Sequence, residues 1–168
     1  MPTYNYQEGW LFYVPTINDD AEYAAAIAAG ITDSDCYYIG VMKAGSGWDI
    51  QPSYSEKDNV GNDITLKFEM TIDCDVITLI DSDLRTALDG ITCSLLYVPK
   101  EYASVDREAE TLAFTGVTPT GILLCPTELF VGDAYKLGNQ EVTALKITGK
   151  AERTTKEELY DDIELTAS

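Results

Sequence analysis

Between Ile64 and Val76 the chain alternates without a fault: Ile64, Leu66, Phe68, Met70, Ile72, Cys74 and Val76 are apolar, and Thr65, Lys67, Glu69, Thr71, Asp73 and Asp75 between them are polar. Successive side chains of a β-strand point to opposite sides, so this period of two predicts one long strand with a dry face and a wet, mostly acidic face. Ordinary strands run to about five or six residues. At an open sheet edge, a strand of this length would leave a long row of backbone donors and acceptors unpaired, an arrangement proteins avoid. Closure into a barrel, or pairing with a neighbouring subunit, satisfies the whole row. A half-exposed β-sandwich would show the same alternation, and the strand's length favours the assembly.

The rest of the chain supplies partners for such a strand. Trp10 to Val14 is an unbroken apolar run closed by Pro15, the pattern of a strand covered on both faces. Strand character returns from Cys36 to Lys43, at Trp48 to Gln51, from Ile91 to Val98, from Gly121 to Cys125, from Leu129 to Val131 and from Glu141 to Ala151. Pro126 breaks the pair of short strands around it, which suggests a sheet edge. Residues 18–29 form the best helix: Asn18 or Asp19 can cap it, Asp20 and Glu22 suit its positive end, alanines fill it and Gly30 stops it. A shorter helix is expected near residues 81–89, and a bulge just past Val76, where the alternation slips. Residues 55–63 read as an exposed loop, and Lys100 to Glu110 as charged, with a helical turn or two. The expected fold is therefore mainly β, a sandwich or barrel with one packed helix. It forms a single β-rich domain over residues 1–168, with an N-terminal arm at 1–8 and a C-terminal arm at 154–168. At 168 residues, one core suffices without staples.

Charge narrows the function. The chain carries 29 acidic and 11 basic residues, a net charge of −18, and no histidine. Such a surface repels phosphate backbones at long range, which excludes a basic nucleic-acid groove. Without histidine, serine and cysteine triads and histidine-ligated metals are also excluded. Cys36, Cys74, Cys93 and Cys125 stand apart in apolar runs with no C-x-x-C pair, so they read as free thiols of the core in a product of a reducing cytoplasm. The chain shows neither a secretory signal nor a membrane-spanning run.

The remaining motifs have structural readings. Gly45-Ser46-Gly47-Trp48 completes neither a dinucleotide fingerprint nor a P-loop, and it reads as a hairpin turn. Asp33-Ser34-Asp35 and Asp81-Ser82-Asp83 lack the later ligands of a calcium loop and read as turn or capping chemistry. Among 29 acidic residues, no frame selects a pair for glycoside hydrolysis. No catalytic, cofactor-binding or metal residue is nominated, and no cofactor is expected. The eleven tyrosines and two tryptophans read mainly as core and interface packing; Trp48, Tyr54 and a few others are the aromatics free to stack on a sugar in a ligand-binding sandwich.

In layout the chain resembles the phage tail-tube family, with long amphipathic strands at 64–76 and 141–151, a β-rich core, one well-formed helix at 18–29 and an acidic balance. The resemblance implies a non-enzymatic virion protein, made in the host cytoplasm, whose copies form stacked rings around a channel that conducts DNA. It implies a homo-oligomer that also meets other virion proteins, with no specific nucleic-acid binding and no membrane. Thr65, Lys67, Glu69, Thr71, Asp73 and Asp75 would then face the lumen or a solvated surface, and the 55–63 loop or the termini would touch neighbours. Lys67 departs from a purely acidic lining. Another virion component, such as a capsid decoration or head–tail joining protein, would share these traits, and a ligand-binding β-sandwich, for example a carbohydrate-binding module, is the other alternative.

Overall fold

The structure, a computed structural model, describes residues 9–42, 47–79, 86–106, 111–136 and 142–167. In chain order its elements are β1 (Gly9–Val14), α1 (Asp20–Ala29), β2 (Ile31–Thr32), β3 (Tyr37–Met42), β4 (Gly47–Lys57), β5 (Asp63–Leu79) and β6 (Thr92–Pro99). Then follow β7 (Ala103–Asp106), β8 (Thr111–Phe114), β9 (Thr120–Leu124), β10 (Thr127–Glu128), β11 (Phe130–Lys136), β12 (Val142–Arg153) and β13 (Tyr160–Thr166). The fold is mainly β. Eleven strands join in one sheet in the order β11-β12-β5-β3-β1-β6-β9-β13-β2, with β4 added to β5 and β10 to β6, and β7 and β8 form a separate hairpin.

The alternating segment is β5, 17 residues long, and it organises the sheet. One of its edges pairs antiparallel with β12 from Phe68 to Leu79; the other pairs with β3 at Val76 and Ile77 and with β4 from Asp63 to Asp73. The predicted facing holds where the strand crosses the core: Met70, Ile72, Cys74 and Val76 are buried. It does not hold at the start of the strand, where Ile64 and Leu66 are 45% and 40% exposed. There β4 and β5 leave the body as a two-stranded hairpin, so the alternation continues with nothing to cover its apolar side.

The sheet folds over so that its two halves share one core. Trp48 on β4 packs edge-on against Tyr97 of β6, with ring centroids 6.2 Å apart, and lies 6.4 Å from Tyr160 of β13. Cys93 to Val98 of β6 are buried on both faces. One face looks toward Trp48. On the other, Leu96 lies beside Phe12 of β1, whose ring meets Phe114 of β8 at 6.2 Å. Each such fully buried side chain contributes about 1.5–3 kcal/mol by leaving water. The β7–β8 hairpin is anchored in turn by Asp33, a buried residue in a 3₁₀ turn whose carboxylate accepts the Phe114 N–H at 3.2 Å.

Helix α1 begins as expected. The Asp19 side chain accepts the Glu22 N–H at 2.8 Å, and Gly30, at φ 85°, returns its N–H to Ala26. Its buried Tyr23 donates to the Glu157 carbonyl at 2.8 Å, and Arg153 at the end of β12 binds Asp20 at 2.8 Å, so the helix is fastened to the sheet. Arg153 is held in its charged form chiefly by Asp20 against the cost of partial burial.

Several expectations change. The C-terminal arm is not an arm: β13 inserts between β9 and β2 with Ile163 and Leu165 buried, because Thr154, Thr155 and Glu158 fold the preceding residues into a hydrogen-bonded turn. That insertion makes β9 an interior strand despite Pro126. The 55–63 loop shrinks to residues 58–62, where the Asn62 and Val60 N–H groups bind the Asp58 carboxylate and hold it below its usual range. No register shift follows Val76 as far as Leu79; among the described residues the irregularities lie in β1 between Leu11 and Phe12, in β4 around Pro52 and Tyr54 and in β11 between Asp133 and Tyr135. Past a single 3₁₀ turn at 100–102, residues 103–106 are strand β7. Of the short helix near 81–89, residues 86–88 are helical, and 81–85 lie outside the described residues, as do the N-terminal arm at 1–8 and most of Gly45-Ser46-Gly47.

Candidate functional site

The wet side of β5 is the middle of a broader polar surface. Antiparallel pairing sets directly opposed side chains on one face. Through β12 it places Lys146 beside Asp75, Thr148 beside Asp73, Lys150 beside Thr71 and Glu152 beside Glu69; through β4 it adds Asp49 beside Thr71 and Gln51 beside Glu69. All six residues proposed from sequence lie on this face: Thr65, Lys67 and Asp73 are exposed, and Glu69, Thr71 and Asp75 are half-buried.

The face is less acidic than β5 alone suggested. Lys146 binds Asp73 at 2.8 Å and Asp75 at 3.5 Å, and Asp73 first, then Asp75, hold the ammonium above its usual range. Lys67 reaches Glu152 at 3.5 Å, and the Ser53 side chain and Lys67 together hold Glu152 below the usual carboxylate range. Lys67 therefore bridges β5 to β12, and positive and negative charges interleave over the surface. Sequence reasoning missed Lys146, Lys150, Glu152, Asp49 and Gln51. Period two places a side chain on a face, but the register of the neighbouring strand decides which charges meet.

Between β4 and β5 this face holds an open trough of about 450 Å³ lined by Gly47, Trp48, Asp49, Gln51, Glu69, Thr71 and Asp73. Gln51 donates to Asp49 at 2.9 Å. The trough is partly open, so it lacks the full enclosure that strengthens electrostatic catalysis by excluding water. Trp48, one of the aromatics considered for sugar stacking, is half-buried and packs against Tyr97 and Tyr160. Tyr54 remains exposed, its hydroxyl bound to Glu56. The four cysteines are buried and unpaired, and burial pushes Cys36, Cys74 and Cys93 up to about 12. Asp33-Ser34-Asp35 has the structural role expected of it, whereas Asp81-Ser82-Asp83 falls outside the described residues.

No protein-family model and no curated protein sequence matches this chain. No helix among the described residues is long and apolar enough to cross a membrane.

The strands that carry the polar face also carry its open edges. Among the described residues, β4 pairs only with β5, and β11 only with β12. Asp89 takes the Val131 N–H at 3.0 Å, and beyond that point the outer edge of β11 has no partner strand among the described residues. Both edge strands are close to neutral: β4 holds Asp49, Glu56 and Lys57, and β11 holds Asp133 and Lys136, in a chain of net charge −18.

Proposed function

We infer that this chain is a non-enzymatic structural subunit of a phage virion, a tail-tube protein whose copies join into rings that stack around a DNA-conducting channel. The observation that carries the reading is the order β11-β12-β5-β4. These four strands alternate in direction: β12, β5 and β4 at Trp48 and Ile50 turn a dry face to the core and a mostly polar face away from it, β11 adds the exposed Phe130 to that outer face, and the outer edges of β4 and β11 have no partner strand among the described residues. If β4 of one copy pairs with β11 of the next, the antiparallel alternation continues across the junction. Repetition of a head-to-tail contact closes a ring when the rotation allows it, and closure removes both edges at once. The long strands then form the wall of a shared barrel, with dry sides packed inside each subunit and polar sides turned to a water-filled channel.

In this arrangement Lys67, Glu69, Asp73, Asp75, Lys146, Lys150 and Glu152 line the channel. Carboxylates with salt-bridged lysines between them make a wet surface of weak net charge, on which a passing polyanion finds no continuous cationic track to bind. The near-neutral edges let strongly acidic copies approach at the seam with the least repulsion. Residence is in the virion, after synthesis in the host cytoplasm, with partners that are further copies and other virion proteins.

Sedimentation velocity of the purified chain over a wide concentration range tests the reading. A discrete closed oligomer, or longer assemblies built from it, is expected. A monomer that persists at the highest concentration overturns it.

A further inference from the structure

The outer edge of β11 is occupied at its start. At Leu129 the segment 89–91 pairs with it through the backbone: the Gly90 N–H reaches the Leu129 carbonyl at 2.7 Å, and the Leu129 N–H reaches the Ile91 carbonyl at 2.8 Å. Two residues on, the Asp89 carboxylate takes the Val131 N–H at 3.0 Å, in the place where a neighbouring strand would offer a carbonyl. Alternate residues of an edge strand turn their N–H and C=O groups outward. Leu129 and Val131 are thus successive outward rungs, and both donors are taken. From Gly132 to Lys136 the edge has no partner strand among the described residues.

The outer edge of β4 has a stop of its own. Pairing can run over Gly47–Gln51, but Pro52 has no N–H to give to a ladder, and the register against β5 shifts just after it. Because antiparallel strands run in opposite directions, the Pro52 end of β4 in one copy meets the Val131 end of β11 in the next. With Gln51 opposite Gly132, Pro52 falls opposite Val131. A hydrogen-bonded antiparallel pair exchanges two N–H···O bonds. At this rung neither is needed, because the Val131 N–H is held by Asp89 and Pro52 has none. Gln51 lies beside Glu69, and Gly132 lies beside Lys146, so both belong to the polar face and this register continues that face across the seam.

We propose that Asp89 sets the register of the seam, by capping Val131 so that β4 of a second copy stops with Gln51 opposite Gly132. The proposal rests on the ring reading above and adds the residue that selects one pairing among several. A slip by two residues is the smallest that keeps the polar side chains on their own face. It sets Gln51 opposite Phe130 and Ile50 opposite Val131, and it requires the Val131 N–H that Asp89 occupies. Register governs closure: a two-residue slip displaces each copy by about 7 Å along the strand, and the stagger of a barrel is linked to its tilt and size.

Disulfide trapping tests the register, since opposed residues of antiparallel strands have Cα atoms about 4.5–5.5 Å apart, within reach of a disulfide. Gln51, Phe130 and Gly132 are exposed, so cysteine at these positions leaves the core alone, and the four native cysteines are buried. Two chains, Gln51→Cys with Gly132→Cys and Gln51→Cys with Phe130→Cys, are oxidised mildly and run on denaturing gels, each with and without Asp89→Ala. With Asp89 in place, the 51–132 chain should form about tenfold more covalent multimers than the 51–130 chain, the factor that one charge-assisted hydrogen bond carries. Asp89→Ala should raise crosslinking of the 51–130 chain, and Asp89→Asn, which keeps a side-chain acceptor, should preserve the original pattern. A 51–130 yield unchanged by Asp89→Ala overturns the role of Asp89 and leaves the ring reading standing. Equal or greater 51–130 crosslinking with Asp89 in place overturns the register, and this comparison needs no variant at position 89. A wild-type chain that sediments as a monomer at the highest concentration, with no crosslink in either cysteine pair, overturns the ring reading and the register with it.

Discussion

Ile64 and Ile72 are the same residue type, on the same side of the same strand, and the structure assigns them opposite energetic roles. Ile72 is 1% exposed between β4 and β12, whereas Ile64 is 45% exposed on the projecting hairpin. Replacing either with alanine removes three carbons. At about 0.8 kcal/mol per buried methylene the transfer loss at Ile72 is about 2.4 kcal/mol, and the cavity left between paired strands raises it to about 3–4 kcal/mol. At Ile64 no closed cavity forms, and the cost should stay below about 1 kcal/mol. For a chain of this size those figures correspond to melting shifts of roughly 10 °C and at most about 3 °C. Urea unfolding followed by circular dichroism checks both, at one fixed protein concentration because association would add to apparent stability. Similar losses at the two positions would refute the reasoning, since they would mean that the distal hairpin packs within its own subunit.

Removing the helix cap with Asp19→Ala deletes the acceptor of the Glu22 N–H and should cost about 1 kcal/mol in urea unfolding. Gly121→Ala places a Cβ 2.7 Å from the Tyr97 carbonyl oxygen, a backbone atom that cannot swing aside, and should lower stability by about 1–3 kcal/mol. The cysteines set a pH dependence. Burial raises Cys36, Cys74 and Cys93 to about 12 in the folded chain, so above about pH 8.5, where the unfolded thiols ionise, the unfolded state holds fewer protons. This contribution to stability is therefore complete below about pH 8.5 and is lost as pH rises toward 12. Urea midpoints taken across that range should fall, with the thiols inert to an aromatic disulfide reagent near neutral pH and reactive only on unfolding.

The sequence made the parts of the fold governed by local periodicity legible. The alternation of β5, the apolar run of β1 and the capped alanine helix each follow from the residues themselves, and each lies where it was expected to within a few positions. What was not legible depends on tertiary pairing. Tyr160 to Thr166 commits to no period because two of its residues enter the core while the strand sits between β9 and β2. Ile64 and Leu66 match the dry pattern perfectly, yet a pattern cannot tell where the covering layer ends. At the candidate site, the six polar residues of β5 were readable from alternation. The lysines that neutralise them were not, since Lys146 meets Asp73 and Asp75 only through the antiparallel register of β12.

The central claim is that copies meet through the outer edges of β4 and β11 with the polar face of β5 turned to a common channel. Cryo-electron microscopy of the assembled wild-type chain tests it most directly. The account predicts closed rings with β4 of each copy antiparallel to β11 of the next, and Glu69, Asp73 and Lys146 on the inner wall. Isolated monomers at high concentration, or rings that place this polar face outward, would contradict it.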